Sequence, residues 1–147
     1  MLYHALYIPE GSPPFPKEIV NQPDIAKYVF GWGQPDDMGF VAIDKTSRLP
    51  IGAVWIRLFN SHNPGYGYVA EDIPELSIAV LPDHRNLGIG TQLLDHMLGK
   101  AAEKYPGLSL SVTSENPAKR LYERLGFQVF NMKGASLTML LDFNSRG

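Results

Sequence analysis

Cysteine is absent from the 147 residues. Its absence rules out a disulfide framework, a thiol nucleophile and any cysteine-ligated metal. No apolar run approaches the roughly 20 residues needed to cross a bilayer. Met1-Leu2-Tyr3-His4 carries neither the charged nor the apolar region of a signal peptide. The expectation is therefore a cytoplasmic protein with no membrane partner. The four histidines fall at no His/Asp/Glu spacing that suits a metal, so no metal is expected. No basic block or basic-aromatic run points to nucleic acid. Internal repeats and composition breaks are also missing, and residues 1–147 read as one domain, large enough for a hydrophobic core.

The net charge of −2 is small but unevenly spread. Residues 1–84 carry ten acids against five bases, and residues 85–147 carry eight bases against five acids. A basic half suits a polyphosphate ligand and an acidic half suits a cationic or amine partner; chance scatter is the competing explanation.

Proline clusters early, with half of the 12 prolines before residue 36. A strand is expected over Tyr3–Ile8, then an extended proline-rich stretch over Pro9–Pro16. Two short helices follow within Lys17–Phe30, divided by Pro23, and then a loop at Gly31–Asp37. Strands are expected at Met38–Asp44 and Ile51–Phe59, the second apolar on both faces. Asn60–Pro74 is a long polar and aromatic connection of the kind that is often functional. It contains Gly65-Tyr66-Gly67-Tyr68. Beyond it the pattern predicts a strand at Glu75–Leu81 and an amphipathic helix from about Gly88 to Tyr105, stopped by Pro106-Gly107. A strand at Leu108–Thr113 and a helix at Ala118–Leu125 come next, then strands at Phe127–Met132 and Leu137–Phe143. Asn116 suits an N-cap, Pro117 the first helical position, and Gly126 a C-terminal stop. The order implies a mixed α/β sheet with helices on both faces.

The most specific stretch is Arg85-Asn86-Leu87-Gly88-Ile89-Gly90, between the apolar strand and the long helix. A strand, a glycine turn and a helix N-terminus place unpaired N–H groups and a favourable dipole where an anion can sit. A P-loop would need a lysine that is missing here, and a dinucleotide fingerprint would need a third glycine within a repeated βαβ unit.

Three elements occur in a telling order: Val80 to Gly90 with its Arg-x-x-Gly-x-Gly pattern, then Glu115-Asn116-Pro117-Ala118, then Leu121-Tyr122-Glu123-Arg124-Leu125-Gly126-Phe127. On these the chain resembles the GNAT superfamily of acyl-CoA-dependent N-acetyltransferases, closely from about Glu75 to Val129. The resemblance implies a largely antiparallel sheet, splayed at an acetyl-CoA site between the Glu75–Leu81 and Leu108–Thr113 strands. It implies that backbone around Ala79 and Val80 pairs with the pantetheine arm, and that Arg85, Asn86, Leu87, Gly88, Ile89, Gly90 and Thr91 hold the pyrophosphate. Asn116 serves as cap, cofactor contact or both. Many relatives carry glycine where this chain has Asn86 and a basic residue where it has Leu87. Asparagine tolerates positive φ, so the turn can survive, while Leu87 removes a charge contact.

Acetyl transfer requires a neutral amine, a polarised thioester carbonyl and a proton for the departing thiolate. An alkylammonium with a pKa of about 10 needs a base or a water relay. Without cysteine, direct attack in a ternary complex is expected. The resemblance implies Tyr122 as general acid, core packing being the alternative, and Glu75 as base, as a glutamate near this point serves in many relatives, a solvent-exposed strand-end acid being the alternative. Glu71, Asp72 and His62 compete for the base role. Lys119 and Arg120 could reach a 3′-phosphate, or be merely solvated. Trp32, Tyr66 and Tyr68 could line an acceptor pocket, or pack as a lid or dimer contact. A primary amine acceptor is expected, a small cationic amine being favoured over a protein lysine or N-terminus. An acyl-CoA-binding sensor or interaction module without catalysis is the reading from another class, and a homodimer is left open.

Overall fold

The computed structural model describes residues 1–6 and 13–145. Six strands form one sheet: β1 (Met38–Ile43), β2 (Pro50–Arg57), β3 (Glu75–Val80), β4 (Gly107–Thr113), β5 (Gln128–Lys133) and β6 (Ser136–Asp142), ordered β1-β2-β3-β4-β6-β5. Every pairing is antiparallel except β3–β4. That exception positions the site. The two parallel strands are in register only at Glu75 and Ser109, and beyond this point they diverge.

Helices cover both faces. α2 (Ile89–Ala101) buries Leu93, Leu94, Met97, Leu98 and Ala101, residues at helical spacing, against one face of the sheet. Val54 and Ile56 of β2, Leu108 and Leu110 of β4, and Met139 of β6 complete this core, together with Tyr122 of α3 (Ala118–Arg124). At Gly52 a side chain would meet Ala79, Leu93 and Ile89, so its absence lets α2 sit close to β2. The opposite face carries α1 (Pro23–Ala26), which a 3-10 turn at Lys17–Asn21 precedes. These are the two short helices that Pro23 was expected to divide. β2 is buried from Ile51 to Arg57, as its apolar character on both faces implied.

The N-terminus departs from expectation. Leu2–Ala5 is a 3-10 helix rather than the start of a strand, and the Tyr7–Ile8 end of the expected strand lies outside the described residues, as do residues 9–12 of the proline-rich stretch. Leu2, Ala5 and Leu6 fall at helical spacing and line one cavity together, whereas a strand would have pointed them to different sides. A short apolar run carries both periods, and here the helical one prevails. Other boundaries shift modestly: α2 ends at Ala101, although Tyr105 N still donates to Ala101 O at 2.8 Å.

Candidate active site

Where β3 and β4 part, a cavity of about 200 Å³ opens, lined from both strands, from α1 and its following turn, from α3 and from the Asn60–Pro74 loop. The bond from Leu81 N to Ile51 O, at 2.8 Å, sets the alternation along β3. Ser77 and Ala79 thus direct their backbone groups to β2, while Ile78 and Val80 direct theirs into the opening. The Val80 carbonyl there accepts Arg85 Nε at 2.9 Å, and Arg85 Nη2 reaches the His4 carbonyl at 3.4 Å. Of the expected pair Ala79 and Val80, only Val80 faces the opening with its backbone; Ile78 is its companion.

After β3 the chain passes through a 3-10 turn, Pro82–His84, into the glycine-bearing turn. Asn86 and Gly88 hold positive φ, 64° and 80°. Asparagine is thus in the left-handed region that it tolerates better than most residues. No side chain among the described residues caps α2, and its first backbone bond runs from Gln92 N to Gly88 O, so the N–H groups of Ile89, Gly90 and Thr91 point outward with no partner among the described residues. Leu87 is 67% exposed and apolar, and contributes no charge.

Asn116 caps α3. Its Oδ1 accepts the Ala118 N–H at 3.0 Å, with Pro117 already helical between them. Lys119 pairs with Glu123 at 3.6 Å along the helix surface, and Arg120 is exposed. Tyr122 is only 8% exposed and stands edge-on to Phe127, yet it lines the cavity. Packing and a position at the site therefore coincide. Burial alone pushes its phenol up to about 12, and its hydroxyl has no hydrogen-bond partner among the described residues.

Glu75 sits at the closed end of the opening, 3% exposed, on the α1 face of the sheet. It is not the solvent-facing strand end that was the bland alternative. Its Oε2 accepts the Tyr28 hydroxyl at 2.5 Å and its Oε1 accepts the Gly67 N–H at 3.0 Å. Burial pushes the carboxyl up to about 7, outweighing those two bonds and the charge of Lys27, which pull the other way. Glu71, Asp72 and His62 are exposed and do not line the cavity.

The loop before β3 closes over this carboxylate. A Cβ at Gly65 would lie 2.2 Å from Glu75 Oε1, and one at Gly67 would lie 2.6 Å from the Leu110 carbonyl carbon. Both glycines are demanded by close approach, one to each wall of the opening. Tyr66 stacks on Tyr28 with ring centroids 6.4 Å apart and lines the cavity. Tyr68 does not line it, and Trp32 faces a separate apolar hollow beside β1. Beneath α1, Arg57 forms a two-pronged pair with Asp37, Nε to Oδ1 at 3.0 Å and Nη2 to Oδ2 at 2.7 Å, and donates Nη1 to the carbonyls of Lys27 and Phe30. Burial raises Asp37, but Arg57 and the N–H groups of Gln34 and Gly33 outweigh it and hold the carboxyl low.

Sequence reasoning did not single out Tyr28, which reads as one more apolar residue in a broken helix. A signal that could have found it is the glycine spacing in Gly65-Tyr66-Gly67, since glycine in a loop permits close backbone approach.

The family model for the acetyltransferase (GNAT) domain matches residues 35–129, more than half of the chain. The chain belongs to the GNAT acetyltransferase family. Among solved structures it is similar to a Bordetella pertussis protein described as a GNAT-family acetyltransferase, with 21% identity over 79% of this chain and 71% of that one and a TM-score of 0.62. A protein of Exiguobacterium sp. 255-15 described as an acetyltransferase shares 26% identity over 77% of this chain and 68% of that one, with a TM-score of 0.57. A Salmonella typhimurium protein solved with its cofactor acetyl-CoA shares 21% over 74% of this chain and 65% of that one, with a TM-score of 0.60. No curated protein matches the chain. Among the described residues no helix is long and apolar enough to cross a membrane.

Proposed function

We propose that this GNAT-family acetyltransferase is a single-domain N-acetyltransferase that moves acetyl from acetyl-CoA to a primary amine by direct attack in a ternary complex. The observation that carries the reading is Glu75, a carboxylate buried where β3 and β4 part and raised to about 7, with the Tyr122 hydroxyl lining the same cavity. Such a group can accept a proton near neutral pH, which a solvent-exposed glutamate does poorly.

The chain's groups fit the proposed donor. Ile78 and the Val80 N–H face the opening, where β3 and β4 are paired only at Glu75 and Ser109 among the described residues, and suit the amides of a pantetheine arm, as an added strand would. The free N–H groups of Ile89, Gly90 and Thr91, in the turn shaped by Arg85, Asn86, Leu87 and Gly88, suit a pyrophosphate. Asn116 keeps α3 in place beside that path. Acetyl-CoA would supply the acetyl group as an activated thioester. Glu75 would take the proton from the acceptor ammonium, directly or through water, and Tyr122 Oη would donate a proton toward the departing sulfur. Tyr122 stays protonated across the neutral range because burial holds its phenol high.

Glu75 is the only charged side chain lining the cavity among the described residues. One buried carboxylate suits one ammonium, which favours a small monoamine over a polyamine or a protein lysine. The reading is tested by thiol release from acetyl-CoA across an amine panel, where turnover with small monoamines is expected. Tight CoA binding with background release across the whole panel would instead make the chain a binding module. Tyr122→Phe should lower kcat about tenfold or more with CoA affinity kept; unchanged turnover would remove Tyr122 from the acid role.

A further inference from the structure

We propose that Tyr28 is a positioning residue: its hydroxyl ties the Glu75 carboxylate to the Asn60–Pro74 loop, so that this loop presents the carboxylate to the acceptor amine. The inference rests on the reading of Glu75 as the base. Three contacts carry it. Tyr28 Oη donates to Glu75 Oε2 at 2.5 Å, Tyr28 Oη also accepts the Tyr66 N–H at 2.8 Å, and the Gly67 N–H donates to Glu75 Oε1 at 3.0 Å. The carboxylate, the phenol and two successive loop amides thus form one closed ring of hydrogen bonds. Each oxygen of Glu75 is oriented from a different residue, so the carboxylate cannot turn without breaking a bond to the loop.

The phenol is itself fixed from two sides. Its ring lies edge-on to Phe59, at 5.1 Å between centroids, and parallel to Tyr66. The Tyr28 carbonyl accepts the Trp55 indole N–H at 3.2 Å. The loop end is anchored as well: Lys27 Nζ donates to the Pro64 carbonyl and Asn63 Oδ1, and the glycines at 65 and 67 press against Glu75 and Leu110. A loop that contacts both walls of the opening is therefore coupled to the carboxylate twice, directly through the Gly67 N–H and through the Tyr28 side chain.

From α3, Tyr122 faces the same cavity and stays protonated across the neutral range. Lys27, after α1, carries the one charge that acts on Glu75 from that side. Arg57, beside Glu75 on β2, is engaged with Asp37 and two carbonyls. Tyr66 contributes its backbone N–H to Tyr28 and its ring to the cavity. The Tyr28 bond is therefore the main adjustable contact, and it favours the ionised carboxylate.

The test compares pH profiles of kcat/KM for the amine in three variants of the full chain. Tyr28→Phe removes the donor, so the acidic limb should move to higher pH. A shift of about one pH unit gives about a fivefold loss at pH 7 and near-normal turnover at pH 9, with KM for acetyl-CoA unchanged. Tyr28→3-fluorotyrosine keeps the shape and the hydroxyl but makes it a stronger donor, so the limb should move to lower pH. This second variant decides the matter even where the phenylalanine variant does not fold. Limbs that stay at the wild-type position, or a loss equal at every pH, would overturn the proposal. Glu75→Gln separates it from its premise. If that variant keeps the wild-type limb, the base assignment fails and Tyr28 falls with it. If Glu75→Gln abolishes the limb while both Tyr28 variants leave it in place, only the role of Tyr28 fails.

Discussion

On the α2 side of the sheet, Leu94, Met97, Leu108, Leu110 and Met139 meet in a core whose cohesion depends on area and shape. On the α1 side, Arg57, Tyr28 and Glu75 are buried nearly as deeply, as is the side chain of Asp37, yet each is held by named hydrogen bonds. Apolar packing is non-directional and tolerates exchange of one side chain for another of similar volume. A buried polar network is directional: removing one partner strands the other without solvent. The contrast locates chemistry. Desolvation that would be wasted on leucine raises a carboxyl to neutral pH, and the face that holds Glu75 is the one able to do that.

The contrast predicts where substitutions hurt which property. Glu75→Gln should lower kcat/KM for the amine by about 10²–10⁴ while the fold persists. A steady-state assay beside circular dichroism checks it, and activity within threefold of wild type would deny the carboxylate the base role. Arg57→Met should cost about 3–5 kcal/mol, because Asp37 is left charged and buried without its partner. Met97→Leu, on the other face, should cost under about 1.5 kcal/mol. Urea unfolding of the pair measures the difference; equal midpoints would mean that the polar face contributes nothing special to holding α1.

The same carboxylate makes stability depend on pH. Its folded value of about 7 lies above the ordinary 4.5, so the folded protein binds the extra proton between those values. Stability contributed by that proton is complete below about pH 4.5 and is lost as pH rises through 7. The loss is on the order of 3 kcal/mol for a shift of this size. Glu75→Gln has no such proton to lose. Against the variant, wild-type stability should fall between pH 5 and pH 8, and parallel curves over that range would place the carboxyl near its ordinary value.

Legibility in the sequence followed the same division. From Glu75 to Gly126 the local signals were strong and mutually consistent, and β3, α2, β4 and α3 lie within a few residues of expectation. The positive φ at Asn86, the unbonded amides that open α2 and the Asn116 cap all belong to local backbone chemistry, which a short stretch of sequence encodes. Tyr28 was not legible, because its meaning depends on Glu75, 47 residues away. The Leu2–Ala5 turn departs from the expected strand for a related reason: its apolar residues carry two periods, and only the cavity they line decides between them. The resemblance names Ala79 and Val80 together, and only the β2–β3 register, which a single strand cannot disclose, separates backbone that faces β2 from backbone that faces the opening.

The smallest expected effect tests that local encoding within a single turn. Gly88 and Gly90 are two residues apart, yet their demands differ. Gly88 holds φ at 80° with open space where a Cβ would stand, so alanine there meets no neighbour and only the backbone objects. Gly88→Ala should cost about 1–2 kcal/mol. Gly90 lies in the first turn of α2, and a Cβ there would make ordinary contact with Ile78 and Val80 at 3.9 and 4.0 Å. Gly90→Ala should be neutral or stabilise by up to about 1 kcal/mol, through the better helix propensity of alanine. Thermal melts without ligand read these opposite signs free of any effect on binding. If both substitutions cost the same, the left-handed residue does not set the turn. The outward N–H groups of Ile89, Gly90 and Thr91 would then owe their direction to packing of α2 against β2 rather than to the glycine that precedes it.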